Sequence, residues 1–159
     1  MIWTEFEAAA PELAAAGRER FQRTGVALLG TLRRDGSPRI SPVEPSFVLG
    51  HLLFGVMRSK KSSDLSRDAR CTLHSSVSDP NGTEGEFKLF GRASLVTDAA
   101  LRDGEYEAWW KSYPPEAARL YSLDISSAAL VEWHFDAMSI EVVSWSERAG
   151  LVRNSARYP

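Results

Sequence analysis

From Val26 onward no apolar stretch runs long enough for an ordinary helix before a turn signal interrupts it, and that constrains the fold more than any other feature of the chain. Val26-Ala27-Leu28-Leu29 leads to Asp35-Gly36, and residues 40–48 follow, which predicts two strands around a short turn. Leu49-Gly50-His51 marks a second turn, and Leu52-Leu53-Phe54-Gly55-Val56-Met57 a third strand. Further strands are expected over residues 71–77, 87–96, 120–125, 128–135 and 138–145, giving seven or eight in all. Asp79-Pro80-Asn81-Gly82 and Asp136-Ala137 read as turns, and Gly91 inside its strand reads as a bulge or bend. Strands that follow one another with few helical crossovers pair antiparallel, and this number tends to close into a barrel, which removes exposed edges.

Helices fill the gaps. Thr4 and Glu7 stand at capping-box spacing, and Pro11 suits the first position of a second helical run that carries Leu13 and Phe21 and stops before Gly25. The serines after Met57 cap a short helix ending near Arg67. Thr97 or Asp98 caps a longer one bearing Leu101, Tyr106, Trp109 and Trp110, which ends before Pro114-Pro115. The expected class is therefore mainly β (α+β): a split antiparallel β-barrel with an N-terminal helix, a short helix after the third strand and one longer peripheral helix. No repeat and no Ser/Gly linker divides residues 1–159, so one domain is expected, with a polar, mobile tail after Gly150.

Composition enters as exclusion. The chain has 159 residues and a net charge of −2, without the basic stripe a nucleic-acid binder needs. Cys71 is the single cysteine, so an internal disulfide and multi-cysteine metal patterns are excluded and a reducing cytoplasm fits. The first residues carry acids and no apolar segment of the kind a secretion signal shows, and no stretch is long enough to span a bilayer. His51, His74 and His134 lack metal-ligand spacing, so no metal site is expected. Hydrolase elbows, Walker loops and Gly-rich dinucleotide fingerprints are not found.

The stretch that carries chemistry is Arg58-Ser59-Lys60-Lys61, which sets cations at the start of a helix where the macrodipole is already positive. An anion lodged between them and the free N–H groups turns that repulsion into attraction; without one, the lysines are ordinary solvated charges. Pro38-Arg39-Ile40-Ser41-Pro42-Val43-Glu44 holds two prolines, as an irregular strand facing a ligand or a plain edge strand does.

On the hairpin 31–38, Ile40-Ser41-Pro42-Val43 and the block from Ser59-Lys60-Lys61 through Asp64-Leu65 to Arg70, the chain resembles the pyridoxamine-5′-phosphate-oxidase-like, FMN-binding split β-barrel family. The resemblance implies that Ser59, Lys60 and Lys61 hold the cofactor phosphate. It implies that Ile40, Ser41, Pro42 and Val43 lie along the ring system, and Met57, beside the turn, is expected among the cofactor-binding residues. It further implies a homodimer whose interface completes two cofactor sites, and hydride transfer between FMN and a small-molecule substrate, with no side-chain acid or base. A deazaflavin coenzyme in place of FMN, or flavin or haem binding without turnover, are the alternatives. The Arg-x-His pattern of the vitamin B6 oxidases is not found around Ile140 to Trp145, so their substrate is not implied. Trp133 and Trp145, on the last hairpin, can flank a ring or fill the barrel end. His74 can face the cofactor, His51 is expected in an exposed turn, and Cys71 is expected to be a small buried hydrophobe. Trp109, Trp110 and Tyr113 are expected to pack their helix on the barrel or on a partner.

Overall fold

A computed structural model of the chain describes residues 1–106 and 118–157. The elements are α1 (Trp3–Ala9), α2 (Pro11–Thr24), β1 (Ala27–Leu32), β2 (Pro38–Val43), β3 (Pro45–Val48), β4 (His51–Met57), α3 (Lys60–Arg67), β5 (Arg70–Ser75), β6 (Glu86–Leu95), α4 (Ala99–Glu105), β7 (Ala118–His134), β8 (Ser139–Ser146) and β9 (Gly150–Arg157). All neighbouring strands pair antiparallel, in the order β2-β1-β5-β6-β7-β4-β3, with β8 added to β7 and β9 to β8.

The branching at β7 makes the barrel split. β6 runs along one edge of β7, while β4 takes residues 118–122 of the other edge and β8 takes residues 127–134. The expected break between residues 125 and 128 is a bulge inside one long strand: Gly91 faces Ile125, Phe90 faces Ser127, and Ser126 is left over. The Ser126 hydroxyl donates to the Phe90 carbonyl at 3.0 Å. Gly91 is required there, because a Cβ would sit 2.0 Å from the Asp124 carbonyl oxygen.

Three further expectations are corrected. The run 40–48 is two strands, since β2 pairs with β1 and β3 with β4; Glu44 between them precedes Pro45, and the prolines interrupt a continuous ladder. The segment after Gly150 is strand β9, paired with β8 throughout. Its side chains are nearly all exposed, so the alternation that betrays a strand is missing. Nor does the sheet close: β2, β3 and β9 remain edges.

Helices cover the inner face. Pro11 opens α2, and Gly25 ends it in the left-handed region with its N–H on the Phe21 carbonyl. Leu13, Ala14, Gly17 and Phe21 face the sheet, and Phe21 meets Phe87 edge to face at 5.6 Å. α1 starts earlier than expected: the Glu5 carboxylate accepts the Ile2 N–H at 2.8 Å, whereas Thr4 bonds Gly50 and Glu7 pairs with Arg18. The Thr4–Glu7 spacing thus serves tertiary contacts instead of a cap. Trp145 is buried and packs on Phe6 at 5.3 Å, so it fills the barrel end. α4 begins at Asp98, whose carboxylate accepts the Leu101 N–H at 2.9 Å. Trp109, Trp110 and Tyr113 lie outside the described residues. Among the described residues, no helix is long and apolar enough to cross a membrane.

Candidate functional site

β4 runs out of the core at Met57, which is half-exposed, and the chain turns through Arg58 into α3. Ser59 is the N-cap: its hydroxyl oxygen accepts from the Ser62 N–H at 3.5 Å. That leaves the hydroxyl hydrogen available as a donor. The N–H groups of Lys60 and Lys61, in the first turn, have no partner among the described residues. No acidic side chain stands in that turn. Two free amides and a hydroxyl therefore stand at a positive helix end, with two lysines in the same turn, a donor set that suits a phosphate monoester.

The two lysines are not equivalent. Lys60 is exposed, whereas Lys61 is partly buried and its Nζ donates to the Pro42 carbonyl of β2 at 2.9 Å. Burial pushes the Lys61 pKa down, and the Glu44 carboxylate opposes that shift. The contact joins the two segments the sequence singled out, across 19 positions, in one place.

Along β2 the four predicted residues alternate. Ile40 and Pro42 expose their side chains on the outer face, Ile40 at 69%, while Ser41 and Val43 point inward and Val43 is 1% exposed in the core. A ring lying on β2 can meet Ile40 and Pro42 by side chain but Val43 only through its backbone. Pro38 and Pro42 have the same parity, opposite Leu32 and Leu28. In an antiparallel pair such positions share one direction, so both missing N–H groups fall on the same side of the ladder. β2 is an edge strand, and its second side is unpaired in the sheet.

Beneath the turn lies a group that sequence reasoning missed. Asp64 of α3 is 4% exposed, and its carboxylate accepts from Arg39 Nε at 2.6 Å, from Thr31 Oγ1 at 3.3 Å and from Arg67 Nη1 at 3.4 Å. The Arg39 hydrogen bond, against burial, holds this carboxyl below the ordinary carboxylate range. A lone acid in the strongly basic, serine-rich segment 58–67 was the available signal.

Two hollows lie along α3 and β4. One, of about 450 Å³, lies along the serine-bearing side of α3 and is lined by Arg58, Ser59, Ser63, Ser66, Arg67 and Arg119. Arg119, which no sequence signal marked, donates to Ser66 Oγ at 2.6 Å. The other, of about 310 Å³, lies between β4, α4 and the start of β7, with Gly55, Arg102, Asp103, Tyr106 and Leu120 in its wall.

The histidines are engaged elsewhere. His51 is a strand residue rather than a turn residue, with Nδ1 2.9 Å from Ser122 Oγ. His74 lies between the Ser75 carbonyl and Glu86, and His134 is 3.7 Å from Glu141. Among the described residues, no group of three or more His, Cys, Asp or Glu could hold a metal ion. Cys71 is buried.

No protein-family model and no curated protein matches the chain. Solved structures do. An FMN-binding protein related to pyridoxamine 5′-phosphate oxidase from Nostoc punctiforme superposes with a TM-score of 0.64 at 14% identity, covering 93% of this chain and 96% of that one. PhzG from Burkholderia lata, in complex with tetrahydrophenazine-1-carboxylic acid, gives 0.62 at 14% identity over 96% and 92%. A haem-binding protein from Mycobacterium smegmatis gives 0.60 at 15% identity over 91% and 88%. The fold is thus the split barrel of proteins related to pyridoxamine 5′-phosphate oxidase, in agreement with the resemblance carried by the sequence motifs.

Proposed function

We propose that the chain is a single split-barrel domain that binds FMN and serves as a flavin-dependent oxidoreductase for a small molecule. The observation that carries this reading is the donor set at the head of α3, with Lys61 pinned to the edge strand β2. Ser59, Lys60 and Lys61 would hold the phosphate through the hydroxyl, the ammonium groups and the two free amides. Ile40 and Pro42 would offer apolar surface to one side of the ring, and the free edge of β2 would supply main-chain polar groups. Met57 stands at the mouth of the turn, and the hollow at Gly55, two residues upstream on β4, is the candidate substrate space. A bound flavin supplies a ring that accepts and returns a hydride, so the chain's own work is to bind, orient and shield.

A homodimer belongs to the same proposal. Ile40, Gly30, Thr72 and Phe90 form one row across β2, β1, β5 and β6, with Leu28 in the next row, all on the outer face. Ile40, Leu28 and Phe90 are exposed at 69%, 38% and 41%, an apolar patch beside the candidate ring surface. A second copy seated there would cover the patch and complete the site. The solitary buried cysteine supports a reducing compartment, and we place the protein in the cytoplasm.

Binding of a deazaflavin coenzyme would use the same phosphate chemistry, and the haem-binding neighbour supports a reading as a carrier without turnover. Titrating the protein with FMN, the deazaflavin coenzyme, haem and riboflavin, with fluorescence quenching or absorbance as readout, tests these together. Tight FMN binding, weaker riboflavin binding and reduction of bound FMN by a pyridine nucleotide are expected. Lys61→Ala should weaken FMN by about 1.5–3 kcal/mol, the range for a charged hydrogen bond. Unchanged FMN affinity in that variant removes the turn from the reading, and binding without reduction selects the carrier.

A further inference from the structure

Lys61 reaches Pro42 because α3 is held against β1 and β2, and the holding contacts meet at one side chain. Asp64 stands one turn after Lys61 on the same helix. Its carboxylate is bonded outward to β2 through Arg39, to β1 through Thr31, and within α3 to Arg67. Arg67 extends the attachment by donating to the Leu32 carbonyl at the end of β1. These are the charged and polar groups that face Asp64 from its own helix and from both strands beneath it.

The helix thus has two polar attachments to β2. One, Lys61 to Pro42, uses the ammonium that a phosphate would also claim. The other, Asp64 to Arg39, is short at 2.6 Å and sits on the buried Asp64 carboxylate, so it uses none of the phosphate donors. When Lys61 turns toward an anion, the spacing between turn and strand falls to the second attachment. We propose that Asp64 is a positioning residue: it fixes the head of α3 relative to β2, so that the phosphate donors are preorganised against the strand that meets the ring. Its effect on affinity rests on the phosphate-turn reading; its effect on the free protein does not.

The test compares wild type with Asp64→Asn, with Arg39→Gln removing the same contact from the strand side in case the first variant does not fold. Peptide-resolved hydrogen exchange of the ligand-free protein is read alongside affinities for FMN and riboflavin. In the variants, exchange over residues 59–67 and 38–43 is expected to quicken while β6 and β7 keep their protection. The FMN-over-riboflavin preference is expected to fall about tenfold, the loss of one charged hydrogen bond's worth of organisation, with riboflavin affinity unchanged. Unchanged exchange and unchanged preference in a folded variant overturn the inference. So does faster exchange with an intact FMN preference, or an equal loss for both ligands, since either describes a merely structural residue. If exchange quickens but wild type shows no preference for FMN, the positioning of α3 stands and the phosphate reading fails.

Discussion

A thiol's reactivity follows its ionisation, and burial pushes the Cys71 thiol up to about 12. The native protein should react with an aromatic disulfide reagent at pH 8 only as fast as it unfolds; rapid stoichiometric labelling without denaturant would contradict the burial. Asp64 titrates the other way. Its carboxyl lies below the ordinary range because Arg39 stabilises the charged form, so its contribution to stability is present above the unfolded value of about 4 and is lost as pH falls through the folded value. Acid unfolding curves of wild type and Asp64→Asn should therefore converge below about pH 4, with wild type the more stable above it. A constant gap across the acid range would show that Asp64 is not ionised in the fold. The contrast between Lys61 and Asp64 explains what the sequence could reveal. A cation at a helix start is wrong for its immediate surroundings, so Ser59-Lys60-Lys61 is visible locally. Asp64 and Arg39 are 25 positions apart and become partners only once β2 is folded beneath α3.

Elements were legible where local sterics or alternation dictate them. Gly91 announces an irregularity because a glycine inside a strand is otherwise a loss, and the bulge opposite Ser126 is the reason for it. Gly91→Ala would drive a methyl group into the Asp124 carbonyl, a main-chain atom that cannot step aside without breaking the β6–β7 ladder. The expected cost is about 3 kcal/mol in chemical denaturation, at the top of the range for overpacking, and a change under about 1 kcal/mol would show that the bulge relaxes freely. β9 was illegible for the opposite reason. It buries no side chain, so its pairing with β8 rests on main-chain bonds and on Arg153, which bridges Glu12 and Glu141. The division of residues 40–48 was hidden too, because a strand that changes partner at Glu44 keeps its extended texture on both sides of the change.

Across the whole molecule, α1 and α2 cover one sheet face, α4 packs on the other at β3 and β4, and the outer face of β2, β1, β5 and β6 has no described helix over it. That face carries charge on β5 and β6, where Lys88 and His74 both approach Glu86, and apolar side chains at Leu28 of β1, Ile40 of β2 and Phe90 of β6, which stand in adjacent rows. These residues come from three strands spread over about sixty positions, so alternation shows that each is on a face without showing that they share one. A stable interface buries on the order of 1,000 Å² or more in total, and the sheet is broad enough to supply it. Light scattering on the purified protein should give twice the chain mass of 17.6 kDa. Phe90→Asp should shift that toward the monomer, since a carboxylate placed within an apolar contact loses hydration without gaining a partner. Phe90 lies on β6, separated from β2 by both β1 and β5, so its substitution leaves the Ser59–Lys61 donors untouched while depriving the ring of whatever the second copy adds. FMN affinity should therefore fall with the dimer in Phe90→Asp, and fall without dissociation in Lys61→Ala. A monomeric Phe90→Asp variant that binds FMN as tightly as wild type would place the whole cofactor site within one chain.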